Sequence, residues 1–186
     1  MRVIRHASLR AARWKNGGGS TTAIAVEPPG ASLDDFHWRV SLATIDRDGP
    51  FSVFPGVDRS LALVEGAGVE LDIAGRRVVL DEDAISFAGE LAVSATLRGG
   101  STTDLNVMTR RSRHVHTLER RRVTGRIELA HGVLTLVFVA GGGQVAIESE
   151  GERADLAHKD AVLVASACVV EATDGVLLVA TLAQPR

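Results

Sequence analysis

One cysteine, no tyrosine and 4% aromatic residues in a chain of 186 exclude whole classes of protein. A lone Cys168 permits no intramolecular disulfide and no cysteine cluster for a structural zinc. It lies in VASACVVEA, an apolar run that reads as buried and inert, because reactive thiols sit in electropositive, partly exposed places. Long hydrophobic runs are lacking: none approaches the ~20 residues of a membrane-spanning helix. The N-terminal MRVIRHASLRAARW has no apolar core of a secretory signal. The expectation is a soluble, cytoplasmic protein with no membrane partner. An excess of either charge is lacking as well. Twenty-one Lys and Arg against 23 Asp and Glu give a net charge of -2, and no overall field to attract nucleic acid or anionic lipid. The GxGxxG dinucleotide fingerprint, the Walker pattern and the G-x-S-x-G elbow are all absent.

What is present is alternation. Hydrophobic residues make up 45% of the chain, a globular level. They recur with period two in FHWRVSLATI (36–45), RSLALVEG (59–66), GVELDIAG (68–75), LAVSATL (91–97), VLTLVFV (133–139), GQVAIES (143–149) and VLLVATL (176–182). Glycine or aspartate punctuates these runs. The pattern predicts an all-β sandwich or barrel, with helix confined to short pieces near Ser32–Asp35 or in the arginine-rich stretch after Asn106.

The chain also repeats itself. VEGAGVELDIAGRR from Val64 aligns with VAGGGQVAIESEGER from Val139, and Asp83-Ala84-Ile85 answers Asp160-Ala161-Val162 further on. A unit this long predicts a duplicated domain rather than a solenoid. The expected organisation is a first module over 1–108 and, over 109–186, an arginine-rich connector followed by a second module. Strand, Gly-turn, strand, Gly-turn, then an Asp turn resembles the cupin small β-barrel, so the fold expected is a bicupin of two jelly-roll-like modules. The cupin metal positions, however, fall on Ser52, Phe54, Arg59 and near Ser86. No metal and no cofactor are expected there, and an arginine in place of a ligand suggests an anion, since guanidinium pairs bidentately with carboxylate or phosphate.

Four stretches could carry chemistry. In WKNGGGSTT, consecutive glycines can turn backbone N–H groups toward one point beside Lys15 and three hydroxyls, forming an anion nest; the plain alternative is a turn between strands. In FHWRVSLA, Phe36, Trp38, Val40 and Leu42 share one strand face, and His37, Arg39 and Ser41 share the other. If the polar face points inward, Arg39 joins Arg59 as a second cation; otherwise it is a solvated outer face. GPFSVFPGVDR supplies aromatics for either a core or a pocket rim. DLNVMTRRSRHVHTLERRR and the VTGR that follows it hold seven arginines from Arg110 to Arg126, yet lack the interleaved aromatics of a nucleic-acid site and read as a solvated connector. The HVH pair is followed by Glu119, but at one residue short of the cupin spacing and outside the strand repeat, so no metal is expected there.

Together WKNGGGSTT, FHWRVSLA, GPFSVFPGVDR and DLNVMTRR, in this order, resemble the signature blocks of the HutD/Ves family of bicupins. Ala23 stands where an acidic residue is usual and Leu105 where Phe is usual. The resemblance implies a metal-independent protein tied to bacterial histidine utilisation. It would bind a small carboxylate such as N-formylglutamate or urocanate and restrain the pathway. It places ligand-binding residues at Lys15, Asn16, Gly17, Gly18, Gly19, Arg39, Ser52, Phe54, Arg59, Asp104 and Asn106. Arg59 would clamp a carboxylate, Lys15 and the glycine N–H groups would steady a second oxygen pair, and Asn106 would read an amide or formyl group. Asp104 would orient an arginine. A metal-free isomerase or hydrolase, with His37 as the nearby proton carrier, and a stress-response protein with a vestigial pocket are the alternatives. The resemblance allows a homodimer; no interface is legible in the sequence.

Overall fold

Each of the period-two runs becomes a strand. The computed structural model describes residues 1–129 and 133–185. In chain order the strands are β1 (Arg2–Ile4), β2 (Ala11–Arg13), β3 (Gly19–Glu27), β4 (Trp38–Ile45), β5 (Gly49–Pro50), β6 (Val57–Glu65), β7 (Val69–Ile73), β8 (Arg76–Leu80) and β9 (Ile85–Ala88). They continue as β10 (Val93–Leu97), β11 (Thr102–Arg110), β12 (Val115–Leu129), β13 (Leu134–Gly142), β14 (Val145–Ser149), β15 (Glu152–Leu156), β16 (Ala161–Val164) and β17 (Cys168–Ala183). Among the described residues the only helical element is a 3-10 turn at His6–Ser8.

Two expectations of local structure are corrected. Ser32–Asp35 is not helical but a turn, closed by the Ser32 hydroxyl donating to Asp35 Oδ2 at 2.8 Å. The arginine-rich stretch is not helical: after β11 it passes through a turn at 111–113, and most of the rest is β12. Charge density disguised its pattern, in which Leu118, Val123 and Leu129 are buried while long arginine side chains occupy exposed positions.

The chain divides into two compact units. Arg10–Val115 holds a six-stranded antiparallel sheet in the order β2-β3-β4-β11-β6-β9 and a four-stranded sheet β5-β10-β7-β8. Ile45, Leu61 and Phe87 of the larger sheet meet Leu71, Leu80, Val93 and Ala95 of the smaller in one buried apolar cluster. The two sheets therefore pack face to face as a nearly closed barrel. The other unit, Met1–Leu9 with His116–Ala183, is built on a seven-stranded sheet. Its cluster is apolar throughout, from Val137 and Val139 through Ile147, Val162 and Val170 to Leu177, and includes Cys168, whose thiol burial pushes upward in pKa. Asp160 ties the N-terminal segment into this unit. Its carboxylate accepts from Arg5 Nη1 at 2.7 Å and from the His6 amide at 2.9 Å.

A hairpin of the same type occurs in each unit. Ala74 and Gly75 have φ of 50° and 87°, and Glu150 and Gly151 have 53° and 78°. Each pair forms the two-residue loop of a hairpin, between Ile73 and Arg76 and between Ser149 and Glu152. Positive φ at both central positions is the type I′ turn, whose twist matches that of the flanking strands.

Candidate functional site

Within the first of these units, the inward face of the six-stranded sheet carries polar side chains where an apolar core would be expected. Register aligns them in rows. Arg39 on β4 stands beside Met108 on β11, then Arg59 on β6, then Phe87 on β9. The next row runs Ala23, Ser41, Asn106, Leu61, and the one after it Thr21, Ala43, Asp104, Leu63. Leu61 and the rest of the apolar cluster fill part of the barrel. The remainder is a cavity of about 720 Å³, whose lining includes Arg39, Ser41, Arg59, Asp104 and Asn106 and, toward the chain's start, Arg10, Trp14, Lys15 and Asn16.

Arg59 is the centre of this wall. It is 6% exposed, and its guanidinium carbon lies 5.2 Å from the ring centroids of Phe51 and Phe87 and 5.5 Å from that of Phe54. Three aromatic faces hold a cation by their quadrupoles and fix its orientation. Nη1 donates to the Ser52 carbonyl at 3.4 Å, and Nε is buried with no hydrogen-bond partner. Burial lowers the Arg59 pKa to about 10, partly offset by the charge of Asp104.

Asp104 is more confined still. It is 1% exposed, neither carboxylate oxygen has a hydrogen-bond partner, and burial raises its pKa to about 7 against the pull of Arg59. Asn106, 7% exposed, has an unpartnered Oδ1. Asp104 thus does not orient an arginine through a hydrogen bond; it acts on Arg59 through charge alone. Buried polar atoms without partners are costly in a folded protein. Four of them lie together on one cavity wall.

Of the residues expected from sequence, Lys15, Asn16, Arg39, Ser52, Phe54, Arg59, Asp104 and Asn106 all line this cavity. Gly17, Gly18 and Gly19 do not. The Gly17 amide donates to the Trp14 carbonyl at 3.0 Å and the Gly18 amide to Asn16 Oδ1 at 3.0 Å, so these N–H groups are engaged inside a turn rather than gathered as an anion nest. Gly19 is required by packing. A Cβ there would come within 2.1 Å of the Thr44 carbonyl oxygen, whereas at Gly18 it would meet only the Asn16 side chain, at 3.3 Å. Gly19→Ala is accordingly expected to destabilise by about 1–3 kcal/mol and Gly18→Ala by much less, as read from urea midpoints. Equal midpoints for the two variants would contradict this assignment.

His37 is absent from the cavity wall; its ring stacks on His114 at 6.2 Å. His37 is therefore not the proton carrier of the enzyme alternative; on the cavity wall that part could fall only to Asp104, whose pKa is about 7. Sequence reasoning missed Phe87, which reaches Arg59 only through the β6–β9 register, and Arg10, whose segment gave no strand signal. Phe51 was legible as part of an aromatic loop. The cupin metal positions do not fit a metal: Arg59 places a guanidinium there, and Ser86 bonds Ser60 at 2.7 Å. Among the described residues no three His, Cys, Asp or Glu side chains are grouped to hold one.

Face-to-face antiparallel sheets enclosing a polar cavity define a cupin-type β-barrel protein. A cupin 2 conserved barrel domain protein from Leptotrichia buccalis shares this fold, with a TM-score of 0.65 at 11% identity over 98% of this chain and 96% of that one. The chain belongs to the HutD family, whose model matches residues 6–178. It is 36% identical over 140 residues to an uncharacterised 21.2 kDa protein in the hutC 3′ region of Pseudomonas putida, covering 74% of this chain and 72% of that protein. It is 45% identical over 103 residues to Protein Ves of Citrobacter koseri, covering 54% of this chain; the match spans about half the length of that relative, 53%. Among solved structures, HutD from Pseudomonas fluorescens SBW25, in a formate condition, has a TM-score of 0.84 at 30% identity over 100% of this chain and 99% of that one. A conserved protein of unknown function from Pseudomonas aeruginosa PAO1 has a TM-score of 0.90 at 30% identity, over 97% of both chains. The family is linked to histidine utilisation by its name and by these relatives.

Proposed function

We propose that this chain is a metal-independent bicupin that binds a small carboxylate, an intermediate of histidine degradation such as N-formylglutamate or urocanate, and thereby modulates histidine utilisation. The observation that carries this reading is Arg59, a buried guanidinium held by three phenyl rings with an unpartnered Nε at the wall of a 720 Å³ cavity. A cation so desolvated interacts strongly with an anion that reaches it. Arg39 on the same wall, its pKa lowered by burial, and Lys15 add positive charge. The bicupin reading draws support from the paired type I′ hairpins at Gly75 and Gly151 and from the V-x-G-x-G turns ahead of β7 and β14. Binding is favoured over turnover because Asp104 stands on the cavity wall without a histidine or second carboxylate to complete an acid–base pair.

A thermal-shift panel of formate, N-formylglutamate, urocanate, histidine, glutamate and phosphate tests the reading. A guest at 100 times its Kd adds about 2.7 kcal/mol, or roughly 5–11 °C at this chain length. One of the carboxylates is expected to give such a rise. A flat response across the panel from a folded protein would remove the small-carboxylate function.

A further inference from the structure

Among the fully buried side-chain atoms of the cavity wall, unpaired acceptors outnumber unpaired donors, which a carboxylate by itself does not answer. Asp104 Oδ1, Asp104 Oδ2 and Asn106 Oδ1 are buried acceptors without donors, against one unpaired donor, Arg59 Nε. Asn106 and Asp104 alternate along β11, so both side chains lie on the wall that carries Arg59. Formate or any simple anion brings only acceptor oxygens. Set beside Arg59 it would complete Nε and leave all three acceptors bare, with its own charge close to that of Asp104. A guest that completes the wall has a second pole made of N–H.

We infer that Asp104 and Asn106 form an N–H-reading subsite, so that the guest is a carboxylate bearing an imidazole, amide or amidine N–H within the same small molecule. This rests on the carboxylate reading above and narrows it. The anionic pole meets Arg59, and the N–H pole meets the Asn106 and Asp104 oxygens, one and two rows further along the sheet respectively. The subsite also explains why an acid is kept in a pocket otherwise lined by cations, among them Arg10, Arg39 and Lys15. A pocket that selected for negative charge alone would be weakened by Asp104. A pocket that discriminates between carboxylates by their nitrogen is made selective by it, because sites built to hydrogen-bond an N–H reject analogues that lack it.

The test uses matched pairs differing only in the N–H. Urocanate is compared with cinnamate, its phenyl isostere, and N-formylglutamate with the corresponding formate ester of 2-hydroxyglutarate, by isothermal titration calorimetry on the full chain. In at least one pair the N–H member is expected to bind about 30-fold more tightly or better. Asn106→Leu and Asp104→Leu are each expected to shrink that preference to about threefold or less, because a leucine makes no demand for a donor. Equal affinity within both pairs overturns the N–H subsite while leaving the carboxylate reading intact. Absence of binding by all four overturns both. If a leucine variant fails to fold, the comparison in the unaltered protein still decides.

Discussion

Replacing Arg59 with alanine is expected to weaken binding of whichever carboxylate stabilises the protein by at least about 100-fold, close to 3 kcal/mol. The magnitude follows from burial. Arg59 is 6% exposed, and its charge is screened by rings rather than by water. Loss of such a cation leaves an anionic guest in a low-dielectric pocket with only partly buried Arg39 and exposed Lys15 nearby. Arg59→Lys is expected to recover part of the affinity, as an ammonium keeps the charge but lacks the planar fork that pairs bidentately and lies flat against the rings. Stability should move the opposite way. Burial lowers the Arg59 pKa, so the ligand-free fold carries a cost for holding the charge, and Arg59→Met, which fills the same space, is expected to melt at or above the unaltered protein well below pH 7, where Asp104 is protonated and needs no counter-charge. Calorimetric titration and thermal melting of the three variants check both halves. Retained affinity in Arg59→Ala would mean that the anion sits elsewhere in the cavity.

How much of this was legible in the sequence follows from what each signal depends on. Strand positions depend on local alternation, and LAVSATL or VLLVATL show it without help from the rest of the chain. Eight of the eleven expected site residues line one cavity because they alternate on strands or flank them, so that fixing the face of Arg39 and Asn106 fixes their neighbours two residues away. The glycines misled for a physical reason. Gly-Gly-Gly permits both a nest and a tight turn, and the choice was made by Thr44, on another strand, whose carbonyl leaves no room for a Cβ at Gly19. The aromatic cage was half hidden for a related reason. Phe51 and Phe54 stand near Arg59 in sequence, but Phe87 arrives across the β6–β9 register, which depends on tertiary pairing. β12 was obscured by its charge, since an arginine-rich strand and an arginine-rich loop differ in sequence only by the sparse placement of Leu118, Val123 and Leu129.

Asp104 provides the second large effect, and it is a dependence on pH. Its folded-state pKa is about 7, raised by burial from the ordinary 3.8, so between those values the folded protein holds a proton that the unfolded chain has released. Stability from this group is therefore greatest below about pH 4, declines as pH rises toward 7, and is level above. The shift corresponds to a loss on the order of 4 kcal/mol across that window. Asp104→Asn removes the titration. Its advantage over the unaltered protein in the absence of guest is expected to be small at pH 4.5 and to approach that loss at pH 8, roughly 8–16 °C in Tm. Parallel pH–stability curves for the two proteins would show that Asp104 is not the group responsible. The same carboxyl also reports how a guest is oriented. An anion placed against Asp104 raises its pKa further, so binding near pH 7 takes up protons. An N–H donated to it favours the carboxylate, so binding releases them. Calorimetric titration in buffers of different ionisation enthalpy reads that sign directly, and proton release is the expected result if Asp104 and Asn106 read a nitrogen.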